Sequence, residues 1–343
     1  DAGYGIVNDT RNDYKDIDAK GKVVFINLGS PDGIHPHSKF LAWHGISIRV
    51  DEAIKHGAKG VVFYRSSENV ERPSGDLSLT MKPSQIPVLY LDHVRNDISN
   101  LAFASIDMHI MVDEDTGYNV IGFKDNGAKT TVVVGAHHDH LGQGQHGNSL
   151  AENPNEIHNG ADDNASGTAA LSALAKQLKK AKKWNNQNNY LFIAFSGEEM
   201  GLLGSKYFVN NPTVDLTAVN YMMNMDMIGM LNPEKVLIIN GVGTSPAFYK
   251  SITSLNTTME GIGSVTIRTS GIGPSDHTSF YFKGIPAIHY FTGAHDHYHK
   301  PTDDVDNLNY VGEVFVIQHM LDLIAMLNDQ GKIEFAKTKD NSE

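Results

Sequence analysis

Five short stretches of this chain carry imidazoles or carboxylates, three of them directly after apolar runs, one a short loop beyond such a run and one just before a helix. Residues 131–136 run into His137-His138-Asp139-His140, and residues 190–196 into Gly197-Glu198-Glu199. Residues 218–225 lead to Asp226 within Asn224-Met225-Asp226-Met227-Ile228-Gly229, and residues 286–291 precede Tyr298-His299 by a short loop. Between the first two lies Gly160-Ala161-Asp162-Asp163-Asn164-Ala165-Ser166-Gly167. Taken singly, each has an ordinary structural reading. A histidine at a strand end is usually a satisfied structural residue, and acids at a helix entrance serve as caps. Taken together they are hard to place in one folded interior unless a cation neutralises them. Imidazole and carboxylate are ligands that zinc accepts without any thiolate.

The elements that position these groups alternate along the chain. Strands are expected at 23–28, 60–64, 86–92 and 107–112, with a helix at 49–56. From residue 118 the pattern is more regular: strands at 118–123, 131–136, 190–196, 218–225, 235–240 and 286–291, and helices at 166–180, 201–209, 245–255 and 305–327. Apolar strands alternating with helices predict an α/β fold with a mixed, largely parallel sheet covered on both faces. Ligands of such sheets gather at the carboxyl ends of the strands, where the acids and imidazoles fall. The acidic turn at 113–117 divides the chain into 1–115 and 116–332, followed by a polar, frayed tail at 333–343.

Composition narrows the function. A net charge of −12 argues against nucleic acid as a partner. The one basic run, Lys179, Lys180, Lys182 and Lys183, reads as a solvated helix end. The absence of cysteine removes disulfides, thiolate metal sites and cysteine nucleophiles. No apolar stretch approaches the roughly 18 residues of a membrane span, so no transmembrane segment is expected. Gly142-Gln143-Gly144-Gln145-His146-Gly147 has dinucleotide-loop spacing but opens no helix. No His-Glu-x-x-His helix or Gly-x-Ser-x-Gly elbow occurs. His140, His146 and His158 read as exposed loop histidines.

The ordered set Gly-Ala-His-x-Asp, Gly-Ala-Asp-Asp-Asn-Ala-Ser-Gly, Gly-Glu-Glu, Asn-Met-Asp-Met-Ile-Gly, Ser-Asp-His and Tyr-His-x-x-x-Asp resembles the co-catalytic di-zinc aminopeptidases, peptidase family M28, over about residues 116–330. The preceding region, with Gly21-Lys22-Val23-Val24, Ala58-Lys59-Gly60-Val61-Val62 and Ile86-Pro87-Val88, is similar to the protease-associated domain that many members carry as an insertion. The resemblance implies a zinc-exopeptidase-type sheet plus a smaller β-rich α/β protease-associated domain. It also implies two zinc ions per chain, peptide substrates with a free N-terminus and a secreted or periplasmic location. Members normally carry catalytic-domain sequence ahead of the insert, whereas this chain opens almost at the insert.

Carried over by residue, the resemblance puts His137 and Asp226 on one zinc, Glu199 and His299 on the other, and Asp163 between them, with Asp162 as the alternative bridge. Asp139 would orient His137, Glu198 would be the general acid/base, and Tyr298 would hydrogen-bond the developing oxyanion. Asp276 and His277 would lie near the site without an assigned role. The implied reaction is removal of an N-terminal residue through a zinc-bridging hydroxide, with Glu198 as base. Other readings on the same fold are a one-zinc glutaminyl-cyclase-like enzyme, a carboxypeptidase relative and a non-catalytic receptor-like module. Keeping His137 and Asp163 favours two metals. Arg268, the only Arg after Arg95, reads as lying within a strand and so argues against a carboxylate-binding site.

Overall fold

The computed structural model describes residues 1–35, 38–67, 70, 84–94, 115–145, 148–153, 156–180, 187–256 and 261–339. The strand read at 107–112, His146, Lys182 and Lys183 lie outside the described residues. The chain forms two compact units, Asp1–Glu114 and Asp115–Glu343.

In the first unit, a two-residue antiparallel pair, β1 (Val7–Asn8) and β2 (Arg11–Asn12), precedes β3 (Val23–Asn27). Helix α1 (Ile46–Lys55) then crosses to β4 (Gly60–Arg65), and β5 (Val88–Val94) completes a parallel sheet of order β3-β4-β5. Val24, Ile26, Val50, Ala53, Val61 and Phe63 form its core. A helix that carries the chain back to start a parallel strand is what such pairing requires.

In the second unit the strands are β6 (Val120–Lys124), β7 (Thr131–His137), β8 (Asn189–Phe195), β9 (Val219–Met225), β10 (Val236–Asn240), β11 (Ser264–Ile267) and β12 (Ala287–Phe291). They form one sheet of order β11-β10-β12-β9-β7-β8-β6. β8, β7, β9 and β12 run parallel to one another, while β6 and β10 pair antiparallel with β8 and β12. The fold is therefore mixed α/β with a mostly parallel sheet flanked by helices.

Alternate side chains of the central strands go to opposite faces. Val132, Val134 and Ala136 pack with α2 (Gly167–Lys180), α4 (Pro246–Leu255) and α6 (Tyr310–Asn328). Val133, Leu191 and Met222 pack on the other face with α3 (Leu203–Asn210) and α5 (His277–Tyr281) through Phe208 and Phe280. Ala170, Leu174 and Leu178 recur every four residues, so α2 buries one stripe, and Leu174→Ala would cost about 2–5 kcal/mol.

Two expectations change. Helix α6 is long and apolar enough to cross a membrane by length and composition. Its Val316, Met320, Leu323, Ile324 and Leu327 are nevertheless buried in the sheet's core. The stretch after Lys332 is docked rather than frayed, at least through 339. Ile333 is buried and donates its N–H to Asn220 Oδ1 at 2.9 Å, and the Phe335 ring packs on Tyr281. Apolar residues inside a polar stretch anchor it.

Candidate metal centre

Because β7, β8, β9 and β12 are parallel, their carboxyl ends share one edge of the sheet, and the polar residues that follow them meet there. His137 ends β7, Glu198 and Glu199 follow β8, Asp226 follows β9, and His299 lies on the loop after β12. A fifth segment, the turn entering α2, contributes Asp163. That turn is held at several points. Asp303 accepts the backbone N–H groups of Asp162 (3.0 Å) and Asp163 (2.9 Å), and the Asn164 amide donates to the Met225 carbonyl at 2.9 Å. Gly160 opens it at φ +63°, where a Cβ would strike the Asp163 carbonyl and the His140 ring. Asp162 points away, its Oδ1 accepting from Gly229 N (2.6 Å) and Ser166 Oγ (3.0 Å) and its Oδ2 lying 3.1 Å from His295 Nε2. It ties the turn to its surroundings and does not face the imidazoles of the cluster.

The two oxygens of Asp163 face different imidazoles. Oδ1 is 3.4 Å from His137 Nε2, and Oδ2 is 3.4 Å from His299 Nε2. His137 Nε2 also lies 3.2 Å from Asp226 Oδ1, and His299 Nε2 lies 3.3 Å from Glu199 Oε2. Each ring uses its other nitrogen on a backbone carbonyl: His137 Nδ1 on Asp139 O at 3.0 Å, and His299 Nδ1 on Asn148 O at 2.8 Å. With Nδ1–H donating, each neutral ring turns an Nε2 lone pair toward carboxylate oxygens. That arrangement is repulsive unless a proton or a cation lies between them.

This donor set fits zinc. Tetrahedral zinc with bonds of about 2.0–2.1 Å separates its ligand atoms by about 3.3 Å, close to the four separations just given. Without a metal, protons take its place. Burial opposes charge on His137, but Asp226 and Asp163 overcome it and raise its pKa well above the usual imidazole value. Burial likewise opposes charge on His299, and Asp163 and Glu199 hold it up at about 10. Burial works against Asp163 ionising, yet hydrogen bonds from His137 and His299 hold its pKa below the ordinary value.

Glu198 stands slightly outside this set. His137, Glu198 and Asp226 present ligand atoms within 4.8 Å of one another, but Glu198 Oε2 is 4.0 Å from His137 Nε2. Burial first, and the charges of Asp226, Asp276 and Glu199 after it, push its pKa well up against the pull of His137. A neighbouring acid with raised affinity for a proton suits proton transfer. The Asp139 carboxylate accepts the N–H groups of Glu198 (3.1 Å) and Glu199 (3.3 Å), while its nearest oxygen is 3.9 Å from His137 Nδ1. Contact with His137 thus runs through the Asp139 carbonyl, and the carboxylate fixes the turn bearing both glutamates. The Tyr298 ring stacks on His299, with centroids 3.8 Å apart. Burial, then the charges of Asp163, Glu199, Asp226 and Glu198, raise its phenol, which stays protonated as a donor. Asp276 is buried, and that burial, against the pull of His137, raises its carboxyl to about 7. The His277 ring lies against that of His289, 4.9 Å between centroids, and is not among the atoms that face Asp163.

Residues 119–326 match peptidase family M28. The chain belongs to that family. It is 27% identical over 308 residues to aminopeptidase YwaD of Bacillus subtilis, across 85% of this chain and 59% of that one. To leupeptin-inactivating enzyme 1 of Streptomyces exfoliatus it is 29% identical over 206 residues, across 60% of this chain and 42% of that one. The chain therefore spans about half the length of the curated relatives it matches. Its fold is similar to the crystal structure of a zinc aminopeptidase from Bacillus subtilis, with TM-score 0.53 and 23% identity over 97% of this chain and 74% of that one. It is similarly close to an aminopeptidase from Aneurinibacillus sp. strain AM-1, with TM-score 0.53 and 21% identity over 98% and 74%.

Within this family setting, three residues of the site differ from or add to the sequence reading. His140 is not an exposed loop residue: its side chain is 9% exposed and its Nδ1 lies 2.8 Å from Glu199 Oε1. His158 is buried as well, bonded to Ser149 Oγ at 2.8 Å. Asp303, which holds the Asp163 turn, closes the Tyr-His-x-x-x-Asp motif, so its position was the available signal. For His140 the signal was only adjacency, as the residue directly after Asp139.

Proposed function

We propose that this chain is a zinc aminopeptidase that holds two zinc ions and removes the N-terminal residue from peptides with a free amino end. The observation that carries this reading is Asp163, whose two carboxylate oxygens each face a separate imidazole–carboxylate pair. His137 and Asp226 would hold one ion, Glu199 and His299 the other, and Asp163 would serve both. Bound there, zinc would supply Lewis-acid polarisation of the scissile carbonyl and a water acidic enough to act near neutral pH.

The chain's own residues divide the remaining work. Glu198 Oε2 would accept the water's proton and pass it to the leaving amine, for which its raised proton affinity suits it. The Tyr298 hydroxyl would donate to the oxyanion as charge develops there. Asp139 would keep Glu198 and Glu199 in register through their backbone N–H groups. The names of the relatives support the amino end of the peptide as the site of attack. On the resemblance of its short motifs, and on its three parallel strands, the first unit is read as a protease-associated domain. A secreted or periplasmic location is part of the same reading and rests on the family resemblance.

The test compares zinc-loaded protein on aminoacyl p-nitroanilides with free and with acetylated amino groups. Release from the free substrates alone supports the reading. Equal hydrolysis of both, or of neither, contradicts it.

A further inference from the structure

Three imidazoles, His137, His140 and His299, face the carboxylates of the cluster, and His140 is built differently from the other two. His137 and His299 each spend Nδ1 on a backbone carbonyl and present Nε2 to carboxylates. His140 instead directs Nδ1 at Glu199 Oε1, 2.8 Å away, and its buried Nε2 has no hydrogen-bond partner among the described residues. A neutral ring in that setting carries its proton on Nδ1 and donates it. The 2.8 Å separation is a charge-assisted hydrogen bond, shorter than the about 3.3 Å between two ligands of one tetrahedral zinc. Asp163 Oδ2 lies 3.9 Å from the same nitrogen, within the 4.8 Å that could group His140, Asp163 and Glu199 around an ion but longer than the 3.2–3.4 Å separations at His137 and His299.

Glu199 therefore has two occupied sides. Oε2 faces His299 at 3.3 Å and Oε1 faces His140 at 2.8 Å. We infer that His140 is a positioning residue: its Nδ1–H holds Oε1 of Glu199 so that Oε2 alone is offered to the metal beside His299. The ring is kept in place by packing. A Cβ on Gly160 would meet it at 2.6 Å, and it lies 6.0 Å from His299 and 6.3 Å from His158, centroid to centroid. Partners of this outer kind typically change metal affinity or activity 10–100-fold when removed.

The inference rests on the two-zinc reading, and one experiment separates their failures. Wild type, His140→Ala and His140→Asn are loaded with zinc and titrated with a chelator while bound zinc per chain is followed. Cobalt-substituted forms are compared by visible absorption, and the metal-free forms by thermal unfolding. Asn keeps a donor near the position of Nδ1. We expect two ions per chain at saturation in all three proteins. In His140→Ala one ion should leave at about 10–100-fold lower chelator concentration, with His140→Asn recovering most of the difference. Cobalt absorption should keep its intensity, because no ligand is lost, and the metal-free proteins should melt alike. Three results overturn the inference: a His140→Ala titration matching wild type, a single ion at saturation that His140→Asn does not restore, or a metal-free His140→Ala that is already destabilised. Wild type holding fewer than two ions would overturn the two-zinc reading itself.

Discussion

The Asp139 carboxylate accepts the backbone N–H of Glu198 at 3.1 Å, so the residue proposed as base is fixed by its main chain as well as its surroundings. Its other oxygen takes the next N–H along, that of Glu199. Asp139→Ala would release the turn carrying both glutamates, and we expect kcat/KM to fall about 10–100-fold. Asp139→Asn keeps one acceptor oxygen and should lose less. Steady-state kinetics on an aminoacyl anilide checks both. Equal losses in the two variants would mean that the carboxylate does not act through these N–H groups.

Glu198→Gln preserves shape and removes the proton acceptor. The expected loss is about 10²–10⁴-fold in kcat, with zinc per chain unchanged, because Glu198 stands outside the liganding separations. Loss of a zinc ion in this variant would make Glu198 a ligand instead.

Zinc affinity should rise with pH. The sign follows from the protons that metal must displace: in the metal-free cluster His137 is raised well above its usual value and His299 sits at about 10. A ring binds zinc only after losing its proton, so below those pKa values each displaced proton weakens binding by about tenfold per pH unit. Competition with a chelator between pH 6 and 8 measures the slope. Tighter binding at the lower pH would contradict the assignment of these rings as ligands.

Gly160→Ala tests the turn itself. At φ +63° an alanine is strained, and its Cβ would press on the Asp163 carbonyl and on His140. The expected cost is about 1–3 kcal/mol of stability from backbone strain, with further loss from the steric conflict. Denaturant unfolding of the metal-free protein should show it, together with weaker zinc retention.

Much of the site was legible because acids and imidazoles followed apolar runs at strand ends, where little else explains them. Asp226 after the buried run Val219–Met225 is the plainest case. His140 was not legible: the loop that carries it is polar, and only folding turns the ring toward Glu199. Local periodicity also misplaced some boundaries. The helix read from 305 begins at Tyr310, because Asp304 caps a short turn and Asn309 then accepts from Gly312 N at 2.9 Å to start α6. The short strand Ser264–Ile267 has a weak alternating pattern, and Arg268, read as inside a strand, falls just beyond it. In the first unit, parallel pairing of β3, β4 and β5 depends on contacts distant in sequence, which local patterns do not specify.

The most direct measurement is zinc per chain by elemental mass spectrometry, for wild type and Asp163→Ala, after dialysis against low zinc. The account predicts two ions in wild type and a fall toward zero in Asp163→Ala, since that one carboxylate serves both positions. A wild type holding one ion or none, or an Asp163→Ala variant that keeps both, would contradict it.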